Sequence, residues 1–278
     1  PGGVNDPLAE EKRTAMLKLI PEGMEIARRT YAFYKKLVPR FQEEARHFGS
    51  LPTLFLSLVT PGGNLEHYDG LLRIKDSSGR IVEDMIPTDE YARIIGEAVE
   101  DFSYMKFPYY KPRGYPQGIY RVGPLARLNN ADACGTPYAD VALAEFRMLQ
   151  ESGPVSSSFH YHYARLVEII FALETMERLL KDPEILATRV RARARGNRFE
   201  GIGVAEAPRG TLMHHYRIDD DGLMTWMNLI IATGHNNLAM NQSIRQVADA
   251  YVDGKKLQEG MLNRVEAAIR CFDPCLSC

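Results

Sequence analysis

Three of the four cysteines, Cys271, Cys275 and Cys278, crowd into the last eight of 278 residues, and the fourth, Cys134, stands alone mid-chain. Such a distribution cannot staple the rest of the chain, which has to fold by burying apolar surface. The means are there: 278 residues suffice for one large domain or two small ones, and 45% hydrophobic with 25% charged residues suits a soluble globular protein. With cysteines this sparse, a cluster of thiols points to metal or redox chemistry in a reducing compartment, which favours the cytoplasm. A formal net charge of −2 creates no field that would draw nucleic acid or an anionic membrane. No apolar run approaches a membrane span; stretches such as 51–59 and 229–233 are short. The opening Pro1-Gly2-Gly3-Val4-Asn5-Asp6 has no basic region, no apolar core and no initiator Met. The expectation is an internal start within a longer chain and no secretory leader.

Apolar spacing predicts a mainly α chain with small antiparallel β hairpins, an α+β class. Asp6-Pro7 reads as a helix start, residues 8–20 as helical, and Pro21 as a break or kink. Residues 22–38 repeat apolar positions at helical spacing up to Pro39. Runs 70–75 and 80–86, joined by Asp76-Ser77-Ser78-Gly79, predict a hairpin. Pro87-Thr88-Asp89-Glu90 looks like a helix cap, and residues 102–120, rich in Tyr, Pro and Gly, read as irregular. The clearest helix is 159–180, with Tyr163, Leu166, Ile170, Leu173 and Leu180 as its buried stripe. Arg189, Arg191, Arg193, Arg195 and Arg198 then form a solvated or subunit-contacting face, without the interleaved aromatics that base stacking needs. Segments 201–207, 211–218 and 223–232 read as strands, and 243–252 and 257–270 as helices.

The strongest local signal is Cys275-Leu276-Ser277-Cys278. Two thiolates so spaced reach one soft metal ion or a metal pair: zinc, nickel, copper(I) or iron rather than magnesium or calcium. Alone, the pair also fits a structural zinc half-site or a redox dithiol. Zinc needs two further ligands that the sequence does not place nearby, and a redox motif should open a helix, whereas this one lies at the last residues. The second signal is Glu206-Ala207-Pro208-Arg209-Gly210. Pro208 fixes the backbone before Arg209 and Gly210 permits a tight exit, an arrangement that holds one guanidinium for anion binding or a salt bridge. The bland alternative is a strand corner with a surface Arg. His214 and His215 are adjacent, so on a strand they face opposite ways and do not chelate together; one is expected to be buried and hydrogen-bonded. Neither they nor His160 and His162 are assigned to a metal.

Together and in this order, these motifs resemble the large subunit of nickel–iron hydrogenases. Asp273-Pro274-Cys275-Leu276-Ser277-Cys278 looks like that family's second cysteine motif, and Glu206-Ala207-Pro208-Arg209-Gly210 its arginine-bearing segment. Arg121-Val122-Gly123-Pro124-Leu125-Ala126-Arg127-Leu128-Asn129 and Pro1-Gly2-Gly3-Val4 also resemble family stretches. The resemblance implies a single domain over 1–278, the C-terminal portion of a helical-bundle catalytic subunit. It implies nickel held by four cysteines and iron bearing carbon monoxide and cyanide, with magnesium nearby. By position, Cys275 resembles the terminal nickel ligand and Cys278 the bridging one. Arg209 resembles the guanidine over the open side of the metals, and Asp273 the carboxylate paired with it. Pro208 and Thr233-Gly234-His235-Asn236-Asn237 resemble the surroundings of the iron's diatomic ligands. The implied reaction is reversible heterolytic cleavage of H2, with Cys275 or the constrained Arg209 as base. Implied partners are a small iron–sulfur subunit, diaphorase-type subunits and a maturation protease. Residues 214–237 look most like the cytosolic, bidirectional NAD-linked group, with deazaflavin-linked and heterodisulfide-linked enzymes next.

The family's first motif, R-x-C-G-x-C, does not occur here, nor do its proton-relay Glu and magnesium-binding Glu, and Cys134 and Cys271 do not replace the missing pair. The expectation is a truncated or isolated segment that cannot assemble the complete bimetallic centre alone. Two other readings stay open at this stage: a metal-free relative of the respiratory complex I type, and a zinc-binding interaction module.

Overall fold

The computed structural model describes residues 3–192 and 198–275. Pro1, Gly2, Arg193, Arg195 and Cys278 therefore lie outside the described residues. Among the described residues the helices are α1 (Glu10–Leu37), α2 (Gln42–His47), α3 (Tyr91–Ile94), α4 (Pro124–Asn130), α5 (Pro137–Arg147), α6 (Tyr161–Lys181), α7 (Ala232–His235), α8 (Asn237–Tyr251) and α9 (Glu259–Phe272). The strands are β1 (Leu54–Val59), β2 (Leu71–Lys75), β3 (Ile81–Ile86), β4 (Ile95–Ala98), β5 (Phe107–Tyr110), β6 (Tyr120–Arg121), β7 (Glu200–Ala207), β8 (Gly210–Ile218) and β9 (Met224–Ile230). The class is mainly helical with small sheets, as the sequence spacing implies.

Pro21 does not break the first helix: α1 runs through it for 28 residues. Proline removes one ladder bond and crowds the preceding turn. Tertiary packing offsets this. Ile20, Ala27 and Tyr31 are buried, α1 lies along α6, and the Tyr31 hydroxyl meets Tyr163 Oη at 2.7 Å and Glu145 Oε2 at 2.5 Å. Asp6 is not the cap either; Ala9 occupies that position without a side-chain bond, and Glu10 and Glu11 place negative charge in the first turn. The buried stripe of α6 matches its spacing at Tyr163, Ile170 and Leu180, with Leu166 and Leu173 partly buried against the same core.

β1 is buried at every position and sits inside a four-stranded sheet of order β3-β2-β1-β6. β1 and β2 pair antiparallel, whereas β1 and β6 pair in parallel. An uninterrupted apolar run is what a strand covered on both faces requires. The segment 102–120 is less irregular than its composition implies, because β5 pairs with β4 and β6 with β1. Pro108 is tolerated there because β4 and β5 form a two-stranded sheet with an open edge.

The meander β7-β8-β9 carries the second motif. Ala207 pairs with Gly210, so Pro208 and Arg209 are the two residues of a tight hairpin turn. His214 and His215 diverge as alternation on a strand demands. His215 is buried between the Tyr91 hydroxyl (2.9 Å) and Glu200 (2.7 Å), while His214 meets Tyr216 Oη at 2.7 Å. β9 stops at Ile230, and Ala232 already opens α7. In the arginine run, Arg191 binds the backbone oxygens of Val4 and Asn5 and the Asn5 side chain, tying the first described residues to the body of the fold.

Candidate metal centre

Four segments distant in sequence meet at the tip of the β7-β8 hairpin: residues 122–127, 206–211, 233–237 and 273–275. α9 ends at Phe272, and Asp273 caps it in the left-handed conformation, φ 50° and ψ 54°. That turn brings Asp273 to the hairpin tip. Arg209 Nε donates to the Asp273 carbonyl oxygen at 2.6 Å and lies 3.2 Å from its Oδ2. Two residues on, the Cys275 amide donates to Thr233 Oγ1 at 3.1 Å, and Thr233 is buried at the start of α7. Arg209, Asp273, Thr233 and Cys275 thus form one chain of contacts. Pro208 joins it through the hairpin backbone, and Cys278 lies outside the described residues.

The close approach of these segments depends on two glycines. Gly123, at φ +90°, would place a Cβ 2.6 Å from the Arg209 carbonyl oxygen. Gly210, at φ +144°, would place one 2.2 Å from Val122 Cγ2. Only a residue without a side chain lets both backbones come this near. The Asn236 side chain completes the seam, accepting from the Val122 amide at 2.9 Å, while Tyr161 Oη donates to the Val122 carbonyl at 2.8 Å. On the far side of Asp273, Arg165 donates to the Cys271 carbonyl at 2.7 Å and caps the end of α9. Burial lowers the pKa of His162, beside Arg165, to about 4, and the Arg165 charge adds to this, so the ring is neutral at pH 7.

Cys134 and Cys271 take no part. Both are free and buried, and burial pushes each thiol up to about 12. They behave as small apolar side chains, and Cys271 Sγ points to the Ala267 carbonyl of its own helix.

Sequence reasoning assigned no role to the groups beneath the hairpin. Arg127, on α4, is 1% exposed and contacts both Glu168 of α6 and Glu206 of β7. Burial opposes its charge, but the two carboxylates outweigh that and raise its pKa. Glu206 Oε1 also accepts from the Leu58 amide at 3.0 Å and from Thr211 Oγ1 at 2.7 Å. An Arg inside the apolar run Pro124-Leu125-Ala126-Arg127-Leu128, and a Glu ending an apolar strand, were the available signals.

The comparisons with known proteins agree on one family. The model for nickel-dependent hydrogenases matches residues 75–278. The chain belongs to the nickel-dependent hydrogenase family. It is 39% identical to the NAD-reducing hydrogenase HoxS subunit beta of Cupriavidus necator, covering all of this chain and 59% of that protein. It is 37% identical to a polypeptide of the F420-non-reducing hydrogenase of Methanothermobacter thermautotrophicus, again over the whole chain and 58% of the relative. Its fold superposes on the crystal structure of an NAD+-reducing [NiFe]-hydrogenase in the H2-reduced state with a TM-score of 0.93 at 41% identity, over 99% of this chain and 61% of the other. The chain thus spans about three fifths of the length of these hydrogenases.

The donor set fits part of a nickel centre. Cys275 offers a soft ligand of the type nickel takes, at a backbone position held by Thr233. Among the described residues no three His, Cys, Asp or Glu side chains gather to hold a metal ion. Among the described residues no helix is long and apolar enough to cross a membrane.

Proposed function

We propose that residues 1–278 form, as a single domain, the C-terminal portion of the catalytic subunit of a cytoplasmic hydrogenase that cleaves and forms H2 reversibly at a nickel–iron centre. Electrons pass to a small iron–sulfur subunit, then through diaphorase-type subunits to NAD(P). Cys275 and Cys278 would supply this chain's half of a four-thiolate cradle for nickel, Cys275 as a terminal ligand and Cys278 as the one shared with an iron that would carry carbon monoxide and cyanide. Magnesium and processing by a maturation protease belong to the same reading. What supports it most is the ion pair of Arg209 with Asp273, two residues from Cys275, in a chain of this family.

When bound, the metals supply the acceptor for the electron pair of H2. The chain's own groups handle the proton and the charge. Cys275, as a thiolate, would take the proton, and the Thr233 bond to its amide holds its backbone. Arg209 resists deprotonation, so its guanidinium acts first as a fixed positive charge over the reacting side. Asp273 engages Nε, and neither Nη nitrogen makes a hydrogen bond among the described residues. Thr233, buried at the start of α7, and Pro208, at the exposed hairpin tip, would lie on the iron side.

The test is infrared spectroscopy with metal analysis on the complete enzyme produced with its maturation system. Nickel and iron in about equal amounts, with bands for metal-bound carbonyl and cyanide, are expected from the two-metal reading. Absence of those bands together with absence of metal supports the complex I type relative, and zinc alone supports the interaction module.

A further inference from the structure

We infer that Arg127 is a positioning residue for Arg209: it grips the backbone immediately before the hairpin tip and so aims the guanidinium that sits on Asp273. The inference rests on the proposed role of Arg209 as the charge over the metals.

Arg127 uses its whole donor set. Guanidinium has five N–H donors in a rigid fork. Arg127 Nε donates to Glu168 Oε1 at 2.6 Å, and Nη2 to Glu168 Oε2 at 2.7 Å. Nη1 donates to Glu206 Oε2 at 2.8 Å and to the Ala207 carbonyl at 2.9 Å. The remaining Nη2 proton goes to the Pro208 carbonyl at 3.2 Å. All five are engaged, three of them on the three consecutive residues that precede Arg209. The other two anchor the fork to α6 through a bidentate carboxylate.

Burying such a group is unfavourable, and apolar packing of the same volume is commonly as stable. What the buried fork adds here is direction. Pro208 has no amide proton, and its carbonyl and that of Ala207 are both held from the inside, while Gly123 closes on the Arg209 carbonyl. The backbone on both sides of the Arg209 Cα is therefore fixed to α4 and to the turn before it. From that fixed position its side chain reaches Asp273.

The experiment compares Arg127→Lys and Glu168→Gln with the unaltered complete hydrogenase. Lysine keeps the charge and volume but cannot satisfy two carboxylates and two carbonyls at once. Glu168→Gln keeps Arg127 and loosens its anchor, and serves if the lysine variant fails to assemble. Three quantities are read: amide hydrogen exchange of residues 209–211, turnover per bound nickel, and KM for H2. The expected result is exchange at least ~10-fold faster at 209–211 and turnover per nickel lower by about 10- to 100-fold with KM unchanged, as for a displaced catalytic group. A purely structural role would lower the yield of nickel-loaded enzyme and leave turnover per nickel as it was, which overturns the inference. So does unchanged exchange at 209–211 in the variants that assemble. Arg209→Lys separates the two readings: full turnover in that variant removes Arg209 from the chemistry, while the exchange data still report whether Arg127 fixes the turn.

Discussion

Arg209 Nε reaches two oxygens of one residue, the Asp273 carbonyl at 2.6 Å and Oδ2 at 3.2 Å. This is possible because Asp273 adopts the left-handed conformation at the end of α9, which turns its carbonyl and its carboxylate toward the same neighbour. Arg209 and Asp273 are 36% and 51% exposed, so the pair contributes little to stability in the described fold. Its value lies in where it holds a charge. Asp273→Asn tolerates the left-handed backbone and removes only the carboxylate charge. Turnover is expected to fall about 10-fold while the unfolding free energy stays within ~0.5 kcal/mol of the parent. Arg209→Lys loses the planar fork and is expected to cost more, about 100-fold in turnover. H2-dependent dye reduction and denaturant titration read the two effects separately.

Gly123→Ala and Gly210→Ala should both destabilise the seam where hairpin and α4 meet. Each needs a positive φ, and each new Cβ would fall inside contact distance, on the Arg209 carbonyl or on Val122. The expected loss is about 1–3 kcal/mol per substitution, combining backbone strain with overpacking. Thermal unfolding measures it. Gly222→Ala, with φ +79° and no heavy atom within 4 Å of the added Cβ, is the control that carries strain without the clash.

Much of the fold was legible from spacing alone. The β2-β3 and β7-β8-β9 hairpins and α6 follow from alternation, turn residues and a helical stripe, all local signals. Pro21 misled because its local penalty is visible in the sequence and the packing of α1 on α6 that offsets it is not. β4, β5 and β6 lay hidden in a Tyr- and Pro-rich stretch because their pairing partners are non-local. In the site, Arg209, Asp273, Thr233 and Cys275 were accessible through motifs and meet in space. Arg127 lies in a family-like stretch, but its partner Glu168 does not, and nothing in the sequence marks the buried ion network that joins residues 41 apart.

Acidification should weaken the fold before its carboxylates begin to protonate. Burial depresses His160 and His162 to about 4 and His235 to about 3, with the Arg165 charge a further cause at His162. In the unfolded chain a histidine titrates near its ordinary value of about 6.5. Above that pH both states are neutral at these rings and no penalty arises. Below it the unfolded state binds protons that the folded state refuses, so stability falls as pH drops from about 6.5 toward 4. Denaturant midpoints taken between pH 7 and 5 should decline. His160→Phe should flatten the decline, and a level profile in the parent would contradict the burial of neutral histidines.

The buried thiols should be chemically silent. Cys134 and Cys271, both pushed up to about 12, are expected to resist alkylation in the folded enzyme and to react only on unfolding. Mass spectrometry after a brief exposure to iodoacetamide distinguishes the two states. Cys134→Ala is expected to cost about 1 kcal/mol or less in stability, as a small change in a packed core, and to leave metal content unchanged.

On the proposed function Cys275 bears metal, while Cys271, one turn of chain earlier, is buried in the core. The direct measurement is nickel content and H2 turnover of the complete enzyme in Cys275→Ala and Cys271→Ala side by side. Nickel and turnover lost in the first and kept in the second is the expected result. Full nickel occupancy and full turnover in Cys275→Ala would contradict it.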